Sequence, residues 1–181
     1  MAHELLALRR QLSWEKAKLG EYFHASEDSQ PVRDRVFELI GKQSFTIQAT
    51  IMEKSKALPK IRSSSDVFYK YGWFYHFSYG LKSFIESTTE LHITAASVGT
   101  KKTQISFTDG VNDVVRQTIK RRQWATAFWP CGTDPCLQIA DYCTWAIQRK
   151  WERQDTRSYD LIKNRIVYEY DLWSHGTVHH Y

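Results

Sequence analysis

A long helix that carries one carboxylate beside its apolar stripe is the feature that most constrains this chain. The helix is predicted by the stretch from Pro130 to Asp160, PCGTDPCLQIADYCTWAIQRKWERQDTRSYD. Asp134 or Thr133 can cap its first turn, and Pro135 fits the first helical position. The pattern continues to about Arg153. On a 3.6-residue period, a core-facing stripe is predicted from Cys136, Leu137, Ala140, Cys143, Thr144, Ile147 and Trp151.

Asp141 lies in the most apolar turn of this helix, between Ala140 and Tyr142. A carboxylate that flanks a buried stripe needs a reason to be there, because burying a charge without a partner is costly. Two explanations stay open at this point. Asp141 either belongs to a functional site, or it makes an ion pair or a backbone hydrogen bond that serves only the fold.

Length and charge limit the class of protein. A chain of 181 residues fits one domain, predicted over residues 1–173, with a loose tail at 174–181. The 25 Lys and Arg against 20 Asp and Glu give a net charge of +5. This mild excess of positive charge permits contact with nucleic acid but does not demonstrate it.

Hydropathy and cysteine usage indicate a cytoplasmic protein. No uninterrupted apolar run approaches the roughly 18 residues needed to cross a bilayer, so no membrane partner is expected. The N-terminal segment MAHELLALRRQL reads as an amphipathic helix with internal charges rather than a signal peptide. The chain has 3 cysteines, an odd number that suggests free thiols in a reducing compartment.

Strand patterns alternate with helix patterns along the chain, which predicts the α/β class, with a mixed sheet flanked by helices. Ser44–Met52 is the clearest strand, because Phe45, Ile47, Ala49 and Ile51 alternate with polar residues. The other predicted strands are Glu21–His24, Leu91–Ser97 and Gln123–Trp129. The other predicted helices are an N-terminal one ending by Gly20, Pro31–Gly41, Val67–Ile85, Phe107–Lys120 and Tyr159–Trp173.

A first candidate site is the loop Phe23-His24-Ala25-Ser26-Glu27-Asp28, which places an imidazole and two carboxylates after a short predicted strand. Sites in α/β proteins form where strand ends lead into helix N-termini. A hard cation such as Mg²⁺ takes one or two carboxylates together with water and phosphate. The alternative needs no function, because Asp28 can cap the next helix while Glu27 favours its positive end.

Basic segments offer a second candidate. Lys101 and Lys102 follow Gly99 and precede a helix, so they could meet a phosphate, although the segment is not a Walker loop. Arg121 and Arg122 close the helix that follows. These residues, together with Lys54, Lys56, Lys60 and Lys120, form a phosphate-attracting surface if the fold brings them together. A scattered set of solvated charges is the alternative.

Two further patterns carry weaker signals. Cys131, Cys136 and Cys143 lack the spacing of a zinc site, which favours buried or idle thiols. A Cys–His nucleophile is the alternative, and no sequence context supports it. The aromatic helix holds too many rings between Phe68 and Tyr79 for one buried face. The helix is therefore either sandwiched between layers, or some of its rings are exposed for stacking or for a partner protein. Core packing plus partner contact is favoured over base stacking.

Three segments carry a family resemblance, in the same order as in the family. LQIADYCTWAIQRKWERQDTRSYDLI resembles the C-terminal signature of the family called domain of unknown function thirty-eight-hundred. The FHASED loop followed by PVRDRVFELI, and the IMEK ending of the clearest strand, resemble the same family. Taken together, the resemblance covers essentially the whole chain.

This resemblance implies an RNase H-like fold and a two-metal nuclease that hydrolyses phosphodiesters of nucleic acid. The catalytic residues it implies are Asp141, His24, Glu27 and Lys54. The implied ligands of Mg²⁺ or Mn²⁺ are Asp141, Glu27 and Asp28. In this interpretation, Lys101, Lys102, Arg121 and Arg122 bind the nucleic acid.

The chain departs from the family in one respect. Family members usually begin with a strand that carries an Asp-Glu-Ser-Gly motif, and this sequence contains no such motif. The chain is therefore expected to be a shortened member, a degenerate one, or one completed by another polypeptide. A missing strand predicts an open sheet edge, and hence a homo-oligomer or a partner chain. The alternative function is a non-catalytic module that binds nucleic acid or protein.

Overall fold

The structure is a computed structural model that describes residues 2–87, 89–97, 99, 101–119 and 123–174, without the side chains of residues 101–103. The chain divides into two compact units. The first unit comprises Met1–Ile47 and Trp129–Val167, and the second comprises Gln48–Phe128 and Tyr168–Tyr181. The single domain predicted over residues 1–173 stays a prediction, and residues 175–181 of the predicted tail lie outside the described residues.

Helices make up most of the described chain. The helices are α1 (Ala2–Trp14), α2 (Gln30–Gly41), α3 (Pro59–Arg62), α4 (Ser65–Tyr75), α5 (Lys82–Ser87), α6 (Lys101–Thr118), α7 (Pro135–Arg153) and α8 (Tyr159–Ile162). The strands are β1 (Ile47–Ile51), β2 (Glu90–Ala96), β3 (Gln123–Trp129) and β4 (Ile166–Asp171). The α/β class is therefore confirmed, whereas the RNase H-like architecture stays a prediction. None of the described helices has the length and apolarity needed to cross a membrane.

The first unit is a helical body in which α1, α2 and α8 pack together with α7. The i, i+3, i+7 leucines of α1 are all buried, as the sequence spacing predicts: Leu5, Leu8 and Leu12. On α2 the buried side chains are Val32, Val36, Phe37 and Ile40. The Phe37 ring meets the Tyr142 ring of α7 edge to face, with the centroids 5.3 Å apart.

Helix α7 begins as predicted, but its buried face is rotated from the predicted stripe. The Asp134 carboxylate caps the helix by accepting hydrogen bonds from the backbone N–H groups of Cys136 and Leu137. The buried residues are Leu137, Gln138, Ile139, Tyr142, Cys143, Ala146 and Ile147. Cys136, Ala140, Thr144 and Trp151, which were predicted to face inward, are exposed. Ile139 and Tyr142 bury more apolar area than the small residues at 140 and 144, and they orient the helix.

The second unit contains helices and short parallel strands. Strand β1 pairs with β4, and β2 pairs with β3. Helix α6 connects β2 to β3 and packs along α4. The main core of this unit consists of Phe77, Ile85, Leu91, Val111, Val114, Val115 and Ile119.

Two of the predicted elements are wrong. The last predicted helix, Tyr159–Trp173, is a short helical turn followed by strand β4. Ile166, Val167 and Tyr168 are β-branched or aromatic, and these side chains favour a strand over a helix. The predicted strand Glu21–His24 is an irregular segment.

The long aromatic helix predicted over Val67–Ile85 is interrupted. Helix α4 ends at Tyr75, a π-helical turn covers His76–Gly80, and α5 begins at Lys82. A Cβ atom at Gly80 would lie 2.9 Å from Nδ1 of His76 and 3.1 Å from Cε1 of Tyr168. The missing side chain of Gly80 therefore permits the close packing at which the helix breaks.

Candidate functional site

Two side chains on one face of α7 fix the irregular segment before α2 by accepting hydrogen bonds from its backbone. The Phe23 N–H donates to Oε1 of Gln138 at 3.2 Å. The Ala25 N–H donates to Oδ2 of Asp141 at 2.8 Å. Because Gln138 and Asp141 are three residues apart, they lie on adjacent turns of the same helix face. The segment is therefore fixed to the helix rather than paired with a strand.

Asp28 adds a buried polar contact between the same segment and α7. Its Oδ2 atom accepts hydrogen bonds from the His24 N–H at 2.9 Å and from the Tyr142 hydroxyl at 2.5 Å. Burial raises the pKa of Tyr142 strongly, and the hydrogen bond to Asp28 adds to this effect. The alternative cap role predicted for Asp28 is not observed, because Ser29 occupies the cap position of α2 without a side-chain bond.

Arg33 of α2 donates hydrogen bonds to backbone carbonyl groups of the same loop. Its Nη1 donates to the carbonyl oxygen of Ala25 at 2.9 Å and also to that of Asp28. Its guanidinium lies 4.9 Å from the centre of the Trp145 ring, within the range of a cation–π contact. The loop is thus held by α2 as well as by α7, which fixes the position of the side chains that it carries.

The described contacts bring His24 and Asp141 together at the surface of the first unit. Nδ1 of His24 lies 3.7 Å from Oδ2 of Asp141, and the two side chains are 29% and 28% exposed. The Ser26 hydroxyl lies 3.1 Å from the same imidazole nitrogen. An imidazole that is held beside a carboxylate and is in contact with solvent can accept and donate a proton.

Among the other predicted catalytic residues, Glu27 lies on the same loop and Lys54 does not. Glu27 is exposed, and its carboxylate has no hydrogen-bond or ion-pair partner among the described residues. Lys54 belongs to the second unit, where its Nζ lies 5.8 Å from the centre of the Phe68 ring. The catalytic role of Lys54 stays a prediction.

The predicted nucleic-acid-binding residues fall largely outside the described structure. Lys101 and Lys102 form the start of α6, but their side chains are not among those described. Arg121 and Arg122 lie outside the described residues. A basic surface built from these four residues therefore stays a prediction.

The three cysteines have raised pKa values, as expected of unreactive thiols. Burial, with the negative charges of Asp141 and Asp134, raises the pKa of Cys131 to about 11. Burial raises the pKa of Cys143 to about 12 and also raises that of Cys136. A thiol is nucleophilic only as the thiolate, so these pKa values favour no cysteine-based chemistry at neutral pH.

The carboxylates differ in how well they fit a divalent cation. In the described parts of the chain, no group of three or more His, Cys, Asp or Glu is arranged to hold a metal ion. Asp28 fits poorly, because it is buried and already accepts two hydrogen bonds. Asp141 fits better, because its side chain is 28% exposed and its contacts with other described residues involve only Oδ2. Glu27 is a second carboxylate on the loop that carries His24, and the binding of Mg²⁺ or Mn²⁺ by Asp141 and Glu27 stays a prediction.

Sequence reasoning missed three residues that position the site, namely Gln138, Tyr142 and Arg33. Gln138 and Tyr142 lie four residues apart, and Gln138 lies three residues before Asp141, so helical spacing places Gln138 beside each of the other two. The incorrect rotation of the predicted stripe hid this relation, because it left both residues out of the buried face. No pattern in the sequence indicated that Arg33 contacts the loop; the sequence placed it only on the predicted helix Pro31–Gly41.

Comparison with protein-family models, with curated proteins and with solved structures finds no match to this chain. The structure defines the class as a mixed α/β protein, with a His–Asp pair at the surface of its first unit. The family resemblance of the sequence stays a prediction.

Proposed function

We propose that this chain is a metal-dependent nuclease-like domain of RNase H-like type that hydrolyses phosphodiester bonds of nucleic acid. The observation that supports the proposal best is the position of Asp141. One of its oxygens is fixed by the Ala25 N–H, while the side chain stays 28% exposed beside His24. A carboxylate that is both anchored and open to solvent is suited to holding a cation in a fixed place.

In this proposal, Asp141 and Glu27 would hold Mg²⁺ or Mn²⁺, with Asp28 supporting the loop rather than binding the ion. The bound cation would lower the pKa of water and stabilise charge on the phosphate. His24 has the role of a proton carrier. Its Nδ1 faces Asp141 and Ser26, so Nε2 is the nitrogen that would take the proton of the attacking water.

Hydrolysis of end-labelled oligonucleotides tests the proposal. We expect cleavage of RNA or DNA in the presence of Mg²⁺ or Mn²⁺ and none with a chelator. Asp141→Asn and His24→Gln should each lower the rate by about 100-fold or more, the usual contribution of a general acid or base. Asp34→Asn is the matched control, because Asp34 is an exposed carboxylate on α2 of the same unit. Activity of the two site variants equal to that of the control would refute the proposal.

A second candidate is a non-catalytic module that binds nucleic acid or protein on the same fold. It is favoured by exposed aromatic rings in the second unit, among them Phe74 and Tyr79. Binding of an oligonucleotide without cleavage under every metal condition would select this candidate over the nuclease.

A further inference from the structure

Helix α4, the π-helical turn and strand β4 carry a set of neighbouring rings, of which Phe74, Tyr79 and Tyr170 are exposed while Tyr71 packs against the core cluster around Trp173. We name it the ring row, and it consists of Tyr71, Phe74, Tyr75, Tyr79, Tyr168 and Tyr170. The ring centroids of Tyr71 and Tyr75 lie 5.7 Å apart, and those of Phe74 and Tyr75 lie 5.5 Å apart. Tyr75 and Tyr79 are stacked, with centroids 6.0 Å apart and planes 14° from parallel. These distances match those of interacting aromatic pairs.

Strand β4 extends the row beside the π-helical turn. Gly80 lies against Tyr168, since a Cβ atom at Gly80 would come within 3.1 Å of the Tyr168 ring. Burial raises the pKa of Tyr168, with smaller effects from Tyr170 and Tyr79 nearby. The rings of Tyr168 and Tyr170 lie 6.2 Å apart. The row therefore runs from α4 through the π turn to a neighbouring strand within one unit.

The core of the second unit does not account for the exposed part of the row. The rings that fill this core lie on another face of the same helix, where Tyr69, Trp73 and Phe77 pack in its main hydrophobic cluster. By contrast, Phe74 is 38% exposed, Tyr79 is 61% exposed and Tyr170 is 41% exposed. Clustered rings at the surface indicate a binding face, and π-helical turns occur frequently at functional sites.

The charge of the second unit indicates the kind of ligand. By sequence, its ranges contain 12 Lys and Arg against 8 Asp and Glu, a net +4 of the +5 carried by the whole chain. The side chains of five of the 12 lie outside the described structure: Lys101, Lys102, Lys120, Arg121 and Arg122. Lys82, two residues after the π turn, is exposed and has no ion-pair partner in the described part of the chain. A positively charged body attracts a polyanion, and flat exposed rings accept flat ligands.

We infer that the ring row is a stacking surface for the unpaired bases of single-stranded nucleic acid. The inference rests on the proposed function for the identity of the substrate and narrows it to single strands. Unpaired bases stack on aromatic side chains irrespective of sequence, whereas a duplex hides the faces of its bases. Five of the six rings in the row are tyrosines, and their polar hydroxyls favour bases over an apolar protein partner.

Fluorescence anisotropy with the full chain tests this inference in the presence of a chelator, so that no cleavage occurs. The probes are a labelled single strand of about 16 nucleotides and the duplex of the same sequence. We expect the single strand to bind more tightly than the duplex. The double variant Phe74→Ala with Tyr79→Ala should weaken binding by at least about 25-fold, taking about fivefold for each ring.

Two further variants identify what the surface recognises. Phe74→Leu with Tyr79→Leu retains apolar area without the rings, and it should bind almost as weakly as the alanine pair. Trp14→Ala is the control, because Trp14 is an 89% exposed ring of the first unit. It should bind like the wild type. Circular dichroism on each variant verifies that the fold is intact.

Several results would overturn the inference. They are the absence of single-strand binding, equal binding of duplex and single strand, wild-type affinity of either double variant, or equal weakening by Trp14→Ala. Sedimentation that shows self-association lost in the alanine pair, with oligonucleotide binding unchanged, would identify a protein-docking surface instead. The proposed function fails separately, because absent hydrolysis with intact single-strand binding removes the nuclease and keeps the stacking surface.

Discussion

The carboxylate of Asp141 accepts a hydrogen bond from the backbone N–H of Ala25 at 2.8 Å, across 116 residues of sequence. The sequence left two explanations for Asp141 open, a functional site and a bond that serves only the fold. This contact is a bond of the second kind. It does not use the whole side chain, which stays partly exposed next to His24. A structural role and a site role are therefore compatible in the same residue, and substitutions can separate them.

The first prediction concerns the stability that Asp141 provides. Asp141→Ala leaves the N–H of the fully buried Ala25 without its acceptor, and an unpaired buried donor costs about 1–3 kcal/mol. Asp141→Asn retains an acceptor oxygen and should lose less than half as much. Urea denaturation of the two variants measures the difference. Equal stability of the alanine and asparagine variants would contradict the role assigned to this bond.

The second prediction concerns the Tyr142–Asp28 hydrogen bond. Tyr142→Phe removes the hydroxyl that donates to the buried Asp28 carboxylate, so we expect a loss of about 1–3 kcal/mol in the free energy of unfolding. Tyr79→Phe is the control, because its ring is exposed and should change stability by less than about 0.5 kcal/mol. Chemical denaturation measures both variants. If Tyr142→Phe lowers the free energy of unfolding no more than the control does, the Tyr142–Asp28 hydrogen bond does not stabilise the fold.

The third prediction concerns the pH dependence of the second unit. Burial lowers the pKa of His76 below its ordinary value of 6.5, and Nδ1 of His76 lies 3.0 Å from the Thr50 hydroxyl. Below pH 6.5 the unfolded chain binds the proton before the folded chain does, so the free energy of unfolding falls as the pH decreases. Urea midpoints between about pH 7 and pH 5 should fall more steeply for the wild type than for His76→Gln. His92→Gln, at an exposed position of β2, should retain the wild-type slope, and a wild-type slope for His76→Gln would contradict the prediction.

The fourth prediction concerns the thiols. Because the pKa of Cys131 is raised to about 11, its alkylation by iodoacetamide should be slow at neutral pH and should accelerate up to about pH 11. Peptide mass spectrometry can follow each cysteine separately. Rapid modification of Cys131 at pH 7 would mean that a thiolate exists there, and cysteine-based chemistry would return as a candidate.

How much of the fold the sequence predicts depends on whether a signal is local. The cap of α7 by Asp134, the leucine spacing of α1 and the strand Gln123–Trp129 were predicted correctly, because each rests on neighbouring residues. Strand β4 was not, because its apolar residues also fit a helical period. Its pairing with β1, more than one hundred residues away in the chain, decides the outcome.

The candidate site was predicted in part for the same reason. His24 and Asp141 were selected from their positions and from a family resemblance, and the structure places them 3.7 Å apart. Their supports were missed, since the hydrogen bond from Phe23 to Gln138 joins residues 115 positions apart. Backbone contacts of this kind depend on the tertiary arrangement and leave no periodic pattern in the sequence.

Titration calorimetry of Mn²⁺ and Mg²⁺ tests the central claim most directly. The wild type is compared with Asp141→Asn, which retains the acceptor for the Ala25 N–H, and with Asp34→Asn as an exposed carboxylate of the same unit. We predict saturable binding to the wild type and to the Asp34 variant, with binding to the Asp141 variant weakened at least about 10-fold. Absence of saturable binding to the wild type, or equal affinity of all three proteins, would contradict a metal site at Asp141.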